Sequence, residues 1–300
     1  MSRWRVNAAI VSMFGLVNIN KPVGLSSRDV VNRVQRLVRP GKAGHAGTLD
    51  PIASGVLVVC VGPATRLIEY VQRMPKRYLG TFLLGRQSVS EDIESELEEL
   101  TDAPVPTSAE IEAILPQFTG VIEQVPPKFS ALKVQGKRAY ELARRGEQVE
   151  LAPRKIEIHE LTLVAYDYPR VVFDVLCGSG TYIRSLGRDL AHTLNTAAVM
   201  SALERTAIGD FRVENALELT TMDERALQEH LRPAIEAVAE LPRVQLSQEE
   251  QQQLHNGVFI HNRFGVAAAE VAGCDGRGEL TCLLTPRGDQ LRPLRNFVTR

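Results

Sequence analysis

From residue 14 to residue 207 the sequence alternates between strand-like and helix-like segments, and this mixture most limits the possible fold. Residues 14–19 have the apolar pattern of a strand. Ser26 and Asp29 then form a predicted capping box, which opens a helix that ends at Pro40. We therefore predict a domain that mixes helices and strands.

The sequence pattern changes at about residue 241, where a predicted short polar helix is followed by short apolar strands that glycine and proline interrupt. Short strands at regular spacing indicate a small β-barrel. We predict a main domain over residues 14–240, with an inserted basic arm at 124–155, and a barrel over 241–300. Residues 1–13 are expected to be a loose tail, or else Met13 is the true start.

Solubility and compartment follow from two further features. No stretch approaches the roughly 20 uncharged apolar residues of a membrane span, so we expect a soluble protein. The four cysteines lack C-x-x-C spacing, which favours buried thiols in a reducing cytoplasm over disulfides or a zinc site. They are Cys60, Cys177, Cys274 and Cys282.

Charge is strongly segregated along the chain although the formal net charge is only −1. Residues 21–86 carry eleven Lys and Arg against three Asp and Glu, and residues 128–155 carry eight against three. Between them, residues 87–127 carry ten acids and no base. This pattern predicts a protein surface with a basic side and an acidic side. Helix faces that are simply solvated give similar runs of charge, so the charge pattern alone does not show that the protein binds a polyanion.

Two glycine-rich segments resemble nucleotide-binding loops, but neither has the residues that such a loop requires. Lys42 follows Gly41 but is itself followed by Ala43, where a Walker A loop needs Ser or Thr. Gly178 and Gly180 precede Ile183, which stands where a dinucleotide fingerprint needs glycine. Neither segment predicts nucleotide binding.

The loop around Asp50 is the better candidate for chemistry. Glycines before Asp50 allow close approach of a ligand, and Pro51 restricts Asp50 toward extended geometry. An isolated Asp before Pro is more commonly an Asx-turn or a helix cap, so the loop alone leaves both readings open.

The loop is one of five motifs that occur in a fixed order along the chain. Together they resemble the TruB family of tRNA pseudouridine synthases, over about residues 14–215 and more weakly over 241–300. The motifs are Asn20-Lys21-Pro22-Val23-Gly24-Leu25-Ser26-Ser27, Gly44-His45-Ala46-Gly47-Thr48-Leu49-Asp50-Pro51-Ile52-Ala53-Ser54-Gly55, Lys76-Arg77-Tyr78, Pro126-Pro127-Lys128-Phe129-Ser130-Ala131-Leu132-Lys133 and Gly180-Thr181-Tyr182-Ile183-Arg184-Ser185-Leu186.

The resemblance implies both a fold and an activity. The fold is α+β, with a mixed, largely antiparallel sheet, flanking helices, an RNA-binding arm and a small C-terminal barrel similar to a PUA domain. The activity is isomerisation of uridine 55 in the T-arm of tRNA to pseudouridine. This reaction exchanges an N1–C1′ bond for a C5–C1′ bond without redox change, so we expect no cofactor and no metal.

The resemblance also assigns roles to individual residues. It implies that Asp50 is the nucleophile or base, acting at C1′, at C6 or on a sugar proton, and that Arg184 is its cationic partner. Tyr78 would be an aromatic platform and proton shuttle for a flipped base. His45 would fill the gap left by the extruded nucleotide, Lys21 would contact sugar or phosphate, and Leu203 would contact the base.

The basic arm would clamp a folded RNA through its phosphates. Its candidate contacts are Lys128, Lys133, Lys137 and Arg138, with Arg144 and Arg145 nearby. The expected partner is tRNA, bound by a monomer that needs no protein partner. Two alternatives stay open: a guide-RNA-dependent rRNA enzyme of the dyskerin type, and a non-catalytic RNA chaperone.

The segment after the Tyr78 strand departs from the family pattern, because Val89 stands where an acid is usual. Residues 91–112 hold nine acids and no base. Since such a surface repels RNA, we expect this acidic segment to face away from the tRNA.

Overall fold

The computed structural model describes residues 13–127, 129, 133–134, 137–138 and 151–297, with backbone alone at 133, 134, 137 and 138. The expectations for residues 1–12 and for most of the arm therefore lie outside the described residues. The strands are β1 (Gly15–Lys21), β2 (Ala43–His45), β3 (Ala53–Val61), β4 (Lys76–Leu84), β5 (Arg86–Gln87), β6 (Glu98–Glu99), β7 (Gly120–Gln124), β8 (Lys133–Val134), β9 (Lys137–Arg138), β10 (Arg154–Asp167), β11 (Arg170–Cys177), β12 (Ala198–Ile208), β13 (Phe211–Arg212), β14 (Leu217–Glu218), β15 (Leu231–Pro233), β16 (Arg243–Gln245), β17 (Ile260–His261), β18 (Val271–Cys274), β19 (Leu280–Arg287) and β20 (Gln290–Asn296).

Helices lie between these strands, as the periodicity predicted. They are α1 (Ser27–Leu37), α2 (Ile68–Arg73), α3 (Ser108–Ile114), α4 (Ile183–Thr193), α5 (Glu224–Glu229) and α6 (Gln248–His255). The predicted capping box of α1 is present, with Asp29 N donating to Ser26 Oγ at 3.2 Å and Ser26 N donating to Asp29 Oδ2 at 3.0 Å. Each of these bonds satisfies a donor that the helix start leaves unpaired.

The main sheet has eleven strands, eight of them in the order β14-β1-β3-β12-β4-β11-β10-β7. Strands β1 and β14, and β3 and β12, run parallel, whereas the other neighbours along this order are antiparallel. The prediction of a mixed, largely antiparallel sheet with flanking helices is therefore confirmed. Strand β12 lies in the middle, between β3 and β4, so residues from both neighbours meet on it.

Strand β3 is buried on both faces, because its alternate residues belong to two different hydrophobic clusters. On one face α4 packs against β4 so closely that a Cβ at Gly187 would lie 2.0 Å from the ring of Phe82. Elsewhere α1 buries Val30, Val31 and Val34 in a cluster with β1 and β3. The apolar stripe predicted for α1 is thus the side that it buries.

The C-terminal residues form a separate five-stranded sheet in the order β16-β18-β19-β20-β17. Its end strands β16 and β17 do not pair with each other within the described residues, so barrel closure stays a prediction. Apolar residues of this sheet share a hydrophobic cluster with β1 and β3, and the rings of Phe14 and Phe297 stack with centroids 5.5 Å apart. The predicted boundary near residue 240 is thus bridged by a common core.

Among the described helices, none combines the length and the apolar character that crossing a membrane requires. All four cysteines are free and buried, as predicted.

Candidate active site

A cleft of about 600 Å³ opens where β4 and β12 lie beside the loop that carries Asp50. The strand registers bring its lining together: Leu203 lies opposite Ala53 of β3, and Arg205 lies opposite Tyr78 of β4. The turn before α4 forms the remaining wall. The three predicted catalytic residues, Asp50, Tyr78 and Arg184, line this one cleft together with the predicted base contact Leu203.

The Asp50 loop is held from both sides by short hydrogen bonds. Asp50 O accepts from Ala53 N at 3.0 Å, and Leu49 N donates to the buried hydroxyl of Ser27 at 2.8 Å. The Ser27 hydroxyl donates back to Leu49 O at 3.1 Å. Both Ser27 bonds reach Leu49, the residue before Asp50, so the loop holds the Asp50 carboxylate in a fixed position. The Asp50 side chain is 38% exposed there.

Arg184 joins Asp50 to a second carboxylate. Its Nη2 lies 2.9 Å from Asp50 Oδ2, so the expected ion pair is present. Its Nη1 lies 3.2 Å from Asp92 Oδ2, and the Asp92 side chain is only 2% exposed. The guanidinium therefore bridges two carboxylates by one nitrogen each, rather than gripping Asp50 with both as its planar geometry had suggested.

Two backbone carbonyls complete the surroundings of Arg184. Nη1 donates to Ser90 O at 2.9 Å, and Nη2 donates to Phe129 O at 2.9 Å. These oxygens belong to two other segments of the chain. Arg184 thus ties the Asp50 loop to the start of the acidic segment and to the root of the arm.

The acidic segment was expected to face away from the tRNA, but its first residues lie beside the cleft, where Asp92 pairs with Arg184. Met200 N donates to Glu91 O at 3.0 Å, so the segment starts against β12 at the cleft. Glu91 pairs with Arg188 at 2.6 Å, one helical turn beyond Arg184. Burial raises the pKa of the Glu94 carboxyl, and the charges of Asp92 and Asp50 act in the same direction.

Sequence reasoning averaged over the acidic run and so overlooked Asp92 and Glu91. The sequence places two arginines, Arg184 and Arg188, one turn apart on α4, and in the structure they pair with Asp92 and Glu91. The remaining part of the segment fits the expectation better, because Glu98 and Glu99 are exposed on the short β5–β6 ribbon.

Tyr78 lies in the floor of the cleft, and burial raises the pKa of its hydroxyl. The guanidinium carbon of Arg205 lies 6.0 Å from the centroid of its ring. Arg205 also donates to Gly47 O at 3.1 Å, and so connects the Asp50 loop with the tyrosine. Sequence reasoning missed Arg205, because it stands beside Glu204 in β12 and only its burial sets it apart.

The other predicted site residues are placed less uniformly. Leu203 is buried and lines the cleft. His45 is half-buried at the end of β2 and does not line the cleft; burial lowers its pKa, which favours the neutral imidazole.

Lys21 is fully buried, and its Nζ donates to Leu25 O at 2.6 Å and Pro22 O at 2.9 Å. Burial lowers the pKa of Lys21 to about 8, while the charge of Asp50 acts in the opposite direction. In this geometry the ammonium braces the turn between β1 and α1 and has no exposed surface, so a sugar or phosphate contact by Lys21 stays a prediction.

The arm is described only at its root and in one ribbon. Lys133, Lys137 and Arg138 lie on the paired strands β8 and β9, and Lys128 falls outside the described residues. At the root of the arm, Tyr182 N donates to Oε1 of the buried Gln124 side chain at 2.9 Å, and Gln124 Nε2 donates to Tyr182 O at 3.1 Å. Gln124 therefore fixes the residue that immediately precedes α4, a contact that sequence reasoning did not foresee.

In chemical terms the cleft holds an ionisable carboxylate beside a cation, and next to them a buried tyrosine ring. A carboxylate in this setting can act as a nucleophile or as a base, and the ring offers a surface for a planar ligand.

Comparison with known proteins identifies the family of this chain. The N-terminal domain of the TruB family pseudouridylate synthases matches residues 35–183. The tRNA pseudouridine synthase B of Rhodopirellula baltica is 39% identical over 333 aligned residues, covering 96% of each chain. Its namesake in Thermobifida fusca is 46% identical over 233 residues, covering 75% of this chain and 78% of the relative.

Solved structures give the same fold. A crystal structure of a Cbf5-Nop10-Gar1 complex matches with a TM-score of 0.74 at 25% identity, over 96% of this chain and 86% of that chain. Its similarity in sequence is lower than that of the relatives named above. From the identity and coverage of those relatives, together with the cleft that holds Asp50 and Arg184, this chain belongs to the TruB family of pseudouridine synthases.

Proposed function

We propose that this chain isomerises a uridine in tRNA to pseudouridine, and that the uridine is the one at position 55 in the T-arm. The single observation that carries the proposal is the ion pair of Asp50 and Arg184 beside Tyr78 in one cleft. The names of the relatives, which are 37–46% identical, support tRNA as the substrate.

The reaction requires the target nucleotide to leave its stack, at a cost of a few kcal/mol that contacts in the cleft must offset. In our proposal Tyr78 stacks on the extruded base, and Leu203 contacts its other side. His45, neutral because burial lowers its pKa, fills the gap left in the RNA. Lys21 contacts the sugar or phosphate only if the bound RNA draws it from its two carbonyl partners.

Asp50 carries the chemistry in its ionised form. Arg184 orients it, because the guanidinium is itself fixed by Asp92 and by two backbone carbonyls. Since Asp92 is almost fully buried, its charge offsets part of the cost of burying Arg184. The carboxylate can then attack C1′ or C6, or remove a sugar proton.

We further propose that each part of the chain has a distinct role in the reaction or in RNA binding. Residues 14–240 perform the reaction, the arm at 124–155 clamps the T-arm, and residues 241–300 form a PUA-like unit that adds RNA contacts. The protein acts in the cytoplasm as a monomer, with neither a guide RNA nor a protein partner.

The guide-dependent alternative is favoured by one observation, the fold shared with the structure of a Cbf5-Nop10-Gar1 complex. The test is to incubate the purified chain alone with an unmodified tRNA transcript and to map pseudouridine chemically. We expect modification of the T-arm uridine without any added component. Modification only after a guide RNA or partner protein is added would favour the alternative, and binding without modification would favour a chaperone.

The arm gives a prediction about salt dependence. Log tRNA affinity falls linearly with log salt concentration, and each phosphate contact contributes about 0.7 to 0.9 to the steepness of that slope. Replacing four residues of the arm by Gln should therefore make the slope shallower by about 3. The four residues are Lys128, Lys133, Lys137 and Arg138. Filter binding at several salt concentrations measures the slope. Arg225→Gln, at a side chain that is 86% exposed on α5, is a control that should leave it unchanged. An unaltered slope in the fourfold variant would make the arm an ordinary solvated surface.

Val89 stands where the family usually has an acid, and this difference gives a second prediction. Asp92, three residues further along the chain, is the comparison. Val89 is 72% exposed and does not line the cleft, so Val89→Asp should change kcat by less than about twofold, as substitutions on open surface usually do. Asp92→Asn should instead lower kcat by about tenfold or more, because Arg184 loses a buried charge partner. Single-turnover rates of both variants test this. A large effect of Val89→Asp, or none of Asp92→Asn, would contradict our placement of the segment.

A further inference from the structure

Two cationic side chains of the cleft take no part in the ion pairs around Asp50. Lys76 starts β4 and is 6% exposed, and Arg205 lies in β12 and is 1% exposed. Both line the cleft. Within the described residues, neither lies at ion-pair distance from a carboxylate.

Backbone carbonyls hold both cations in place. The Lys76 ammonium donates to Gln72 O, and to Met74 O at 2.6 Å. Arg205 Nε donates to Val56 O at 2.7 Å, in addition to the bond from Nη2 to Gly47 O. These contacts satisfy some of the donors but supply no negative charge.

Burying two positive charges in this way is costly. Burial lowers the pKa of Lys76 to about 8, and the charge of Arg205 acts in the same direction. Buried charges in proteins are nearly always paired with an opposite charge. The missing partner is expected to be an electron-rich group that enters the cleft with the substrate.

The strand registers show where this group must lie. Leu203 of β12 lies opposite Ala53, close to Asp50, whereas Ile208 lies opposite Lys76. Tyr78 is two residues beyond Lys76 on the same face of β4, about 6–7 Å away. Asp50 and Lys76 are therefore at opposite ends of the cleft, with the ring of Tyr78 and Arg205 between them.

A nucleotide that binds here must present its base, not its phosphate, to Lys76 and Arg205. Asp50, which must reach the sugar, is partly exposed, whereas the two cations are almost fully buried. The RNA backbone therefore stays at the open side, and the base extends inward over Tyr78. The part of uracil farthest from the glycosidic bond is the C4 carbonyl, whose oxygen O4 accepts hydrogen bonds.

Resting on the uridine isomerisation proposed above, we propose that Lys76 and Arg205 bind the O4 edge of the flipped uracil and stabilise the negative charge that develops on the base. Such fixed donors, aimed at the place where charge appears, are usually the largest electrostatic contribution to catalysis. They also discriminate against cytidine, which presents an amino donor in place of O4.

The electron balance supports this role for each path open to Asp50. Attack at C1′, or removal of a sugar proton, breaks N1–C1′ and leaves its electron pair on uracil, delocalised over N1, O2 and O4. Attack at C6 instead pushes an electron pair through C5 into the C4 carbonyl, giving an enolate at O4. On every path C5 then bonds to C1′ and loses its proton to a base or to water, while N1 takes up a proton. Asp50 is released from C1′ or C6, or returns the sugar proton, and on the C6 path the N1–C1′ bond breaks before C5 bonds to C1′. Product and substrate are isomers, so no external oxidant or reductant is needed.

The test combines a variant with single-atom changes in the RNA. T-arm stem-loops carrying uridine, 4-thiouridine or 2-thiouridine at the target are treated with wild-type protein, Lys76→Met and the exposed control Arg225→Met, and single-turnover rates are measured. We expect 4-thiouridine to slow the wild type about tenfold or more, because sulfur accepts a charged hydrogen bond poorly. Lys76→Met should slow uridine about 10²-fold and show no further loss with 4-thiouridine.

The 2-thiouridine substrate is the positional control, since its effect should be equal in wild type and Lys76→Met. The 4-thio and 2-thio effects are each a ratio of two rates within one protein preparation, so a lower folded fraction of Lys76→Met cancels in them. If wild type converts uridine but the Lys76 and 4-thio effects multiply independently, the O4 contact is absent although the proposed function holds. Coupling with 2-thiouridine instead would also overturn the O4 assignment. If wild type converts no uridine, the proposed function itself fails.

Discussion

Replacing Asp50 by asparagine is expected to abolish pseudouridine formation while leaving tRNA affinity within about tenfold of the wild type. Asparagine keeps the shape of the side chain but cannot act as a nucleophile or base, and loss of such a group commonly costs about 10⁴-fold or more in rate. Affinity should persist because phosphate contacts supply most of the binding free energy. Single-turnover kinetics and filter binding measure the two quantities separately.

Asp102→Asn is the matched control for this experiment, because Asp102 is exposed in the turn after β6 and does not line the cleft. It should leave both rate and affinity unchanged. Pseudouridine formation by Asp50→Asn above the uncatalysed background would remove Asp50 from the reaction.

Arg184→Lys is the second change for which we expect a large effect, a fall in kcat of about 10²- to 10³-fold. One ammonium cannot occupy the positions of two guanidinium nitrogens, which contact Asp50, Asp92, Ser90 O and Phe129 O. The carboxylates of Asp50 and Asp92 would then lie close together with a poorly placed cation. Single-turnover rates at saturating tRNA measure the effect on the reaction itself.

The affinity of Arg184→Lys for tRNA is the internal check, since the positive charge is retained. It should change far less than the rate. Arg225→Lys, on the exposed face of α5, should match the wild type in both. A rate for Arg184→Lys within a few-fold of the wild type would mean that the charge alone suffices and that the shared guanidinium geometry is unimportant.

Local sequence signals predicted the elements of the fold well. The Ser26–Asp29 capping box and the apolar spacing of α1 follow from contacts within one or two turns, and both are present in the structure. The order in which strands join the sheet could not be obtained in this way. Pairing of β12 with β3 and β4 joins residues more than a hundred positions apart, and no periodicity encodes it.

The site residues likewise fall into those that the sequence could identify and those that it could not. Asp50, Tyr78 and Arg184 could be named because they stand in motifs, and the structure brings them into one cleft. Asp92 and Arg205 were missed, because their importance comes from burial beside residues distant in sequence. The acidic run misled the prediction, since an average over nine acids conceals the one that is buried.

Release of the C5 proton tests the central claim most directly, because forming the C5–C1′ bond of pseudouridine requires that proton to leave. A tRNA transcript made with [5-³H]uridine is incubated with the purified chain alone, and tritium in the solvent is counted. We predict release equivalent to one uridine per tRNA, and none from a transcript whose T-arm uridine at position 55 is replaced by cytidine. No release from the unmodified transcript, or equal release from both transcripts, would contradict the account.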